Sequence, residues 1–164
     1  MRIALASLVL GAALLASAAQ AQTAGQTVTL VGLDPAKTKT LSVADFDILP
    51  HVTLTVQARG KARAYEGVSL LELMRQVGGP WGDTLTGKQM AEVLLVTCAD
   101  GYKVAYSIGE ADPGTAKGQV LLADKVDGAP LDAKSGPFQT VVENDLRPAR
   151  SAHQVIKVQL LDLK

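Results

Sequence analysis

The chain reads as a strand-rich α+β domain, a mixed sandwich or half-barrel carrying one main helix and several short helical turns. Three observations carry that expectation. Segments with period-two alternation recur, most clearly over His51–Ala58, where Val52, Leu54, Val56 and Ala58 alternate with Thr53, Thr55 and Gln57. Turn pairs punctuate them at Asp100-Gly101, Pro113-Gly114 and Asp127-Gly128. Helical spacing is convincing once, at Leu70, Leu73, Met74 and Val77.

Taken in order, Gln26 to Gly32 predicts a first strand, broken by Asp34-Pro35. Thr38 to Leu41 predicts a second. Ser42 and Asp45 then have the spacing of a capping box for a single helical turn, which Pro50 stops. After the His51–Ala58 strand, Arg59-Gly60-Lys61 is a basic turn, and Tyr65-Glu66-Gly67 leads into the main helix. Ser69 with Glu72 predicts a second capping box there, and Gly78-Gly79-Pro80 a stop. Trp81 to Gln89 is a loop. Leu94 to Tyr106 predicts a hairpin, with Leu94, Val96 and Cys98 on one face of the first strand and Tyr102, Val104 and Tyr106 on one face of the second. Ser107 with Glu110 predicts a third capping box over a short helix. Strands follow at Gln119–Asp124, Phe138–Val142 and His153–Leu163, with a charged loop over Glu143–Ser151.

The ends and the composition bound the function. Arg2, an apolar run from Ile3 to about Ala16 and the small-x-small pattern Ala19-Gln20-Ala21 predict a secretory signal peptide over residues 1–21. The expected product is a periplasmic, soluble single domain over residues 22–164, without membrane insertion after cleavage. A domain of that length can bury roughly two thirds of its unfolded surface without staples. The single cysteine, Cys98, cannot form an internal disulfide. Sixteen basic and sixteen acidic residues balance, which argues against nucleic-acid binding, since that needs a basic footprint. Two histidines, His51 and His153, stand far apart without companion cysteines, so a clustered zinc site is not expected.

The order of motifs resembles a known family. Tyr65-x-Gly67-Val68-x-Leu70-x-x-Leu73 precedes Asp100-Gly101-Tyr102. Then come Leu121-Leu122-Ala123, Asp127-Gly128-x-Pro130-Leu131, Gly136-Pro137-Phe138, Val141-Val142 and Val155-Ile156-x-Val158. Over roughly residues 26–163 this is similar to the oxidoreductase molybdopterin-binding domain of the sulfite-oxidase type, in a small exported version. The resemblance implies that family's mixed, strand-dominated fold. In catalytic members a cysteine thiolate binds molybdenum just after a short Thr/Gln-containing strand. The matching strand here is Leu54–Gln57, and the next residue is Ala58, which has no donor atom. The resemblance therefore implies a non-catalytic module that binds an anionic small molecule or a periplasmic protein partner. The alternative it leaves open is a molybdopterin-dependent oxidoreductase, or an accessory subunit of a periplasmic redox complex.

The residues offer five candidate cofactor- or anion-binding positions: Arg59, Lys61, Arg147, Arg150 and His153. Two guanidiniums three residues apart, with an imidazole, can hold a phosphate or carboxylate by charge-assisted hydrogen bonds. The family's basic residues in this C-terminal region contact the cofactor phosphate. A solvated loop in which Arg147 and Arg150 pair with Glu143 and Asp145 is the other reading. Arg59, Lys61 and Arg63 read either as a second wall of an anion pocket or as an ordinary basic turn. Cys98 is expected to be a packed apolar side chain rather than a reactive thiol. Trp81 and Tyr65 are expected in packing roles, with pocket lining or partner anchoring as the alternative.

Overall fold

A computed structural model describes residues 26–58 and 60–163. The expected signal segment over residues 1–21 and the candidate Arg59 lie outside the described residues. Among the described residues, ten strands form two sheets with three short α-helices between them: β1 (Thr27–Val31), β2 (Thr38–Ser42), α1 (Val43–Asp47), β3 (Val52–Ala58), β4 (Lys61–Ser69), α2 (Leu70–Arg75), β5 (Glu92–Cys98), β6 (Lys103–Ser107), α3 (Ile108–Ala111), β7 (Val120–Val126), β8 (Ala129–Pro130), β9 (Gln139–Val142) and β10 (Val155–Asp162). The first sheet runs β2-β1-β10-β5-β6; the second runs β3-β4-β7-β8, with β9 also on β7. Pairing is antiparallel except where β10 returns parallel to β1. The strand-rich α+β expectation holds. No helix among the described residues is long and apolar enough to cross a membrane.

Both sheets feed one apolar core. Val28, Leu30, Leu94, Val96 and Val158 come from the first sheet, and Val68, Val120 and Leu122 from the second. Alternation decides the inward side: along β5 every second residue from Glu92 to Cys98 is buried. The short α2 buries Leu70, Leu73 and Met74 completely and touches β4 and β7 on one side and β1 on the other. Helix α1 carries the expected capping box in full. The Asp45 N–H donates to Ser42 Oγ at 3.2 Å, and the Ser42 N–H donates back to the Asp45 carboxylate at 3.0 Å. Phe46 then enters the core and packs on Phe138, with ring centroids 4.8 Å apart.

Three expectations are corrected. Tyr65–Gly67 does lead into α2, but as part of the nine-residue strand β4, which pairs with both β3 and β7, rather than as a lead-in loop. The strand is hard to read because its charges sit on an interior strand; one of them, Arg63, is neutralised by Asp127 across the sheet. Ser69 makes no side-chain cap to α2, because it is still the end of β4, and the Glu72 carboxylate pairs with Arg75 at 2.8 Å instead. Ser107 does cap α3 by accepting from the Glu110 N–H at 3.2 Å, but the Glu110 carboxylate turns away to Arg150 rather than closing a box.

Gly67 fixes how closely β4 and β7 approach. A Cβ there would come within 2.5 Å of the Ala123 Cα and would also strike the Leu122 carbonyl, so backbone would have to move. Gly60 needs a positive φ of 77° but has open space around it. Gly67→Ala should therefore cost about 3 kcal/mol, at the upper end of overpacking penalties, and Gly60→Ala only about 1 kcal/mol. Urea denaturation of both variants checks the ordering; equal losses would show that Gly67 is not a steric constraint.

Candidate functional site

The C-terminal loop is built around one guanidinium. After β9 the chain makes a charged loop and then a 3-10 turn over Pro148–Arg150, opened by a proline whose fixed φ suits the first position. Arg150 donates from Nε to Asp145 at 3.0 Å and from Nη2 to the other oxygen of the same carboxylate at 2.6 Å. Its Nη1 donates to Glu110, at the end of α3, at 2.8 Å. Its Cζ lies 5.5 Å from the centroid of the Tyr106 ring. The two carboxylates raise the Arg150 pKa further, with the Asp145 hydrogen bond the largest cause and desolvation opposing it.

The backbone of the same residue is held just as firmly. The Arg150 carbonyl accepts from the Tyr106 hydroxyl and, at 2.9 Å, from the Thr140 hydroxyl. Tyr106 is fully buried, and burial pushes its phenol pKa up, so it stays a donor. At the tip of the β5–β6 hairpin, the Tyr102 hydroxyl donates to the Ala149 carbonyl at 2.8 Å. The loop is thus pinned to β6, β9 and α3 together.

The candidates do not converge on one pocket. Of the reading in which Arg147 and Arg150 pair with Glu143 and Asp145, only the Arg150–Asp145 pair forms, joined by Glu110 from α3. Arg147 begins the 3-10 turn, is exposed, and makes no ion pair among the described residues. Its neighbour Leu146 is fully exposed. His153 is exposed just before β10. Lys61 is exposed at the far end of the second sheet, opposite Ala58. Thr140, which holds the Arg150 backbone, is level with Leu122; Tyr65 is level with Val126, and Lys61 lies four residues beyond it. At about 3.3 Å per residue, that places Lys61 roughly 26 Å along the strands from the Arg150 anchor. Lys61 and Arg63 therefore form no second wall to the C-terminal loop. Trp81 is 47% exposed with the Arg75 guanidinium 5.0 Å from its ring centroid, and Tyr65 is half-buried within β4.

A second polar cluster was not legible in the sequence. His51 Nδ1 is 2.8 Å from the Leu49 carbonyl, and Nε2 is 3.2 Å from the Asp124 carboxylate. Both partners are acceptors, a carbonyl and a carboxylate, so the ring is held from both of its nitrogens. Lys125 reaches Asp47 at 2.7 Å and Asp124 at 3.4 Å, and its hydrogen bond holds the Asp47 carboxyl below the usual carboxylate range. Asp47, His51 and Asp124 offer ligand atoms within 4.8 Å of one another. The Lys125 ammonium already bridges the two carboxylates, so the charges alternate within a closed network. Only His51 hinted at it; its partner Asp124 is 73 positions away.

The residues do not fit a molybdenum centre of the resembled kind. Ala58 ends β3 at the expected ligand position, half-buried and without a donor atom. Cys98 ends β5 in the other sheet, 2% exposed, and burial, with a smaller contribution from Asp100, pushes its thiol up to about 11. A thiol so held is protonated near neutral pH, and metals bind the thiolate. Comparison with known protein families and with curated proteins finds no match to this chain.

Two measurements check the site. Native Cys98 should react with a thiol reagent at least about a thousandfold more slowly than in denaturant, because access needs opening of a core that is several kcal/mol stable. Arg150→Ala should destabilise by about 1–2 kcal/mol, since it leaves Glu110 and Asp145 without their shared cation and yet acts at a partly exposed site. Urea titration of Arg150→Ala beside the double variant Arg150→Ala/Asp145→Ala should recover part of the loss; no recovery would mean that the pair is not coupled.

Proposed function

We propose that this chain is an exported, non-catalytic module of the sulfite-oxidase-type molybdopterin-binding fold. It acts in the periplasm by presenting its C-terminal loop to an anionic group, on a small molecule or on a protein partner. The observation that carries this reading is the division of labour between two arginines. Arg150 spends its hydrogen bonds on Asp145 and Glu110, while Arg147, three residues before it, keeps its guanidinium in solvent on a braced turn. A charged group held by a rigid backbone but left unpaired is pre-organised for an incoming anion, because little freedom is lost on binding. The fully exposed Leu146 beside it supplies apolar area of the kind that partners cover.

The non-catalytic part rests on Ala58 and Cys98. Neither position offers a metal an accessible thiolate. The export part rests on the sequence of residues 1–21.

The direct test is the metal and pterin content of the protein isolated from a native periplasm. The expected result is neither in stoichiometric amount, and one molybdenum per chain would sink the non-catalytic reading. In parallel, Arg147→Ala should weaken sulfate or phosphate binding roughly three- to tenfold, as for loss of one exposed charge-assisted contact, with the thermal midpoint unchanged. Unchanged anion affinity would remove Arg147 from the site.

A further inference from the structure

A sheet edge exposes unpaired N–H and C=O groups, and folded proteins usually blunt it with charge, proline, a bulge or brevity. Most edges here follow that rule. Strand β2 carries Lys39, β6 begins at Lys103, and β8 is two residues long and includes Pro130. Strand β9 is only four residues long, and the chain beside it covers part of its backbone: Thr140 N–H donates to the Ala152 carbonyl at 2.9 Å. Strand β3 differs. It is the outer strand of the second sheet, seven residues long, with no charge, no proline and an unbroken register against β4. Its side chains leave the edge open, with Thr53, Thr55 and Gln57 exposed and Val52 39% exposed.

We propose that β3 is a pairing edge through which two copies of this chain associate, antiparallel, about a two-fold axis at Thr55. The strand's own sequence selects a second copy as the occupant. Self-pairing centred on Thr55 sets Thr53 against Gln57 of the other copy, Leu54 against Val56, and Val52 against Ala58. Apolar residues meet apolar residues on one face and uncharged polar residues meet on the other, so the strand is its own complement. Within Val52–Ala58 no like charges oppose each other across the axis, which is what usually forbids such a contact. A two-fold contact is isologous and closes on itself, leaving no β3 edge to recruit a third copy. The inner-face positions Val52 and Val56, incompletely covered at the sheet margin, gain cover from the other copy. Strand β3 lies on the side of the second sheet away from β9, so the contact leaves the Arg147 loop open and does not depend on its role.

Sedimentation equilibrium of the exported, processed protein under reductant, from micromolar to millimolar, tests this. The wild type is expected to form a saturable dimer. Thr55→Lys, an exposed change that sets two ammonium groups against each other across the axis, is expected to be monomeric with an unchanged circular dichroism spectrum. Thr40→Lys, the same change on the exposed side of β2, is expected to remain dimeric. Mixing Thr55→Lys with Thr55→Glu should restore a dimer. A wild type monomeric throughout, a dimer indifferent to Thr55→Lys, or a mixture that stays monomeric overturns the proposal. So does hydrogen-exchange protection in the monomer of those amides of residues 52–58 that point away from β4, because some other strand would then cover the edge.

Discussion

Arg150 is the contact on which the C-terminal half of the domain depends. Its side chain draws Asp145 and Glu110 together, and its carbonyl receives the hydroxyls of Tyr106 and Thr140. These partners lie on a loop, a helix and two strands belonging to different sheets. A buried hydroxyl without a partner would cost about 1–3 kcal/mol, and the Tyr106 and Thr140 hydroxyls, 2.9 Å apart, share the Arg150 carbonyl, which ties the backbone of this turn to the core. The guanidinium in turn lies between two carboxylates and offsets their mutual repulsion. One residue therefore couples the polar surface to apolar packing, and this holds Arg147 in a defined place.

Where local chemistry settles structure, the sequence is readable. The alternation over residues 52–58, the Asp100-Gly101 and Asp127-Gly128 turns and the Ser42–Asp45 cap all appear where the residues call for them. Cys98 is buried, as the apolar face it shares with Leu94 and Val96 requires. Strand β4 was hidden because its fitness lies in its partners: Asp127 for Arg63, and the close-lying β7 backbone for Gly67. The site was only half readable. That Arg147 and Arg150 share a loop is visible, but their different fates depend on Glu110, 40 positions before Arg150. The separation of Lys61 from that loop follows from strand register, which no local pattern encodes. The His51–Asp124 pair is distant for the same reason.

The same geometry limits the chemistry. The only thiol points into a core between sheets, and the position where the resembled family keeps its metal ligand carries a methyl group. The charged groups that might have formed an anion pocket are either paired or dispersed along the length of a sheet. Among the described residues, the braced turn keeps the Arg147 guanidinium without an ion pair and Leu146 in solvent.

The central claim, that Arg150 is structural while Arg147 is the recognising cation, is tested most directly by NMR of the arginine side chains during a sulfate titration. The Arg150 Nε–H should exchange slowly with water and keep its chemical shift throughout, while the Arg147 Nε–H should exchange fast and move as sulfate is added. An Arg150 signal that shifts with the anion, or an Arg147 signal that stays in place, would contradict the account.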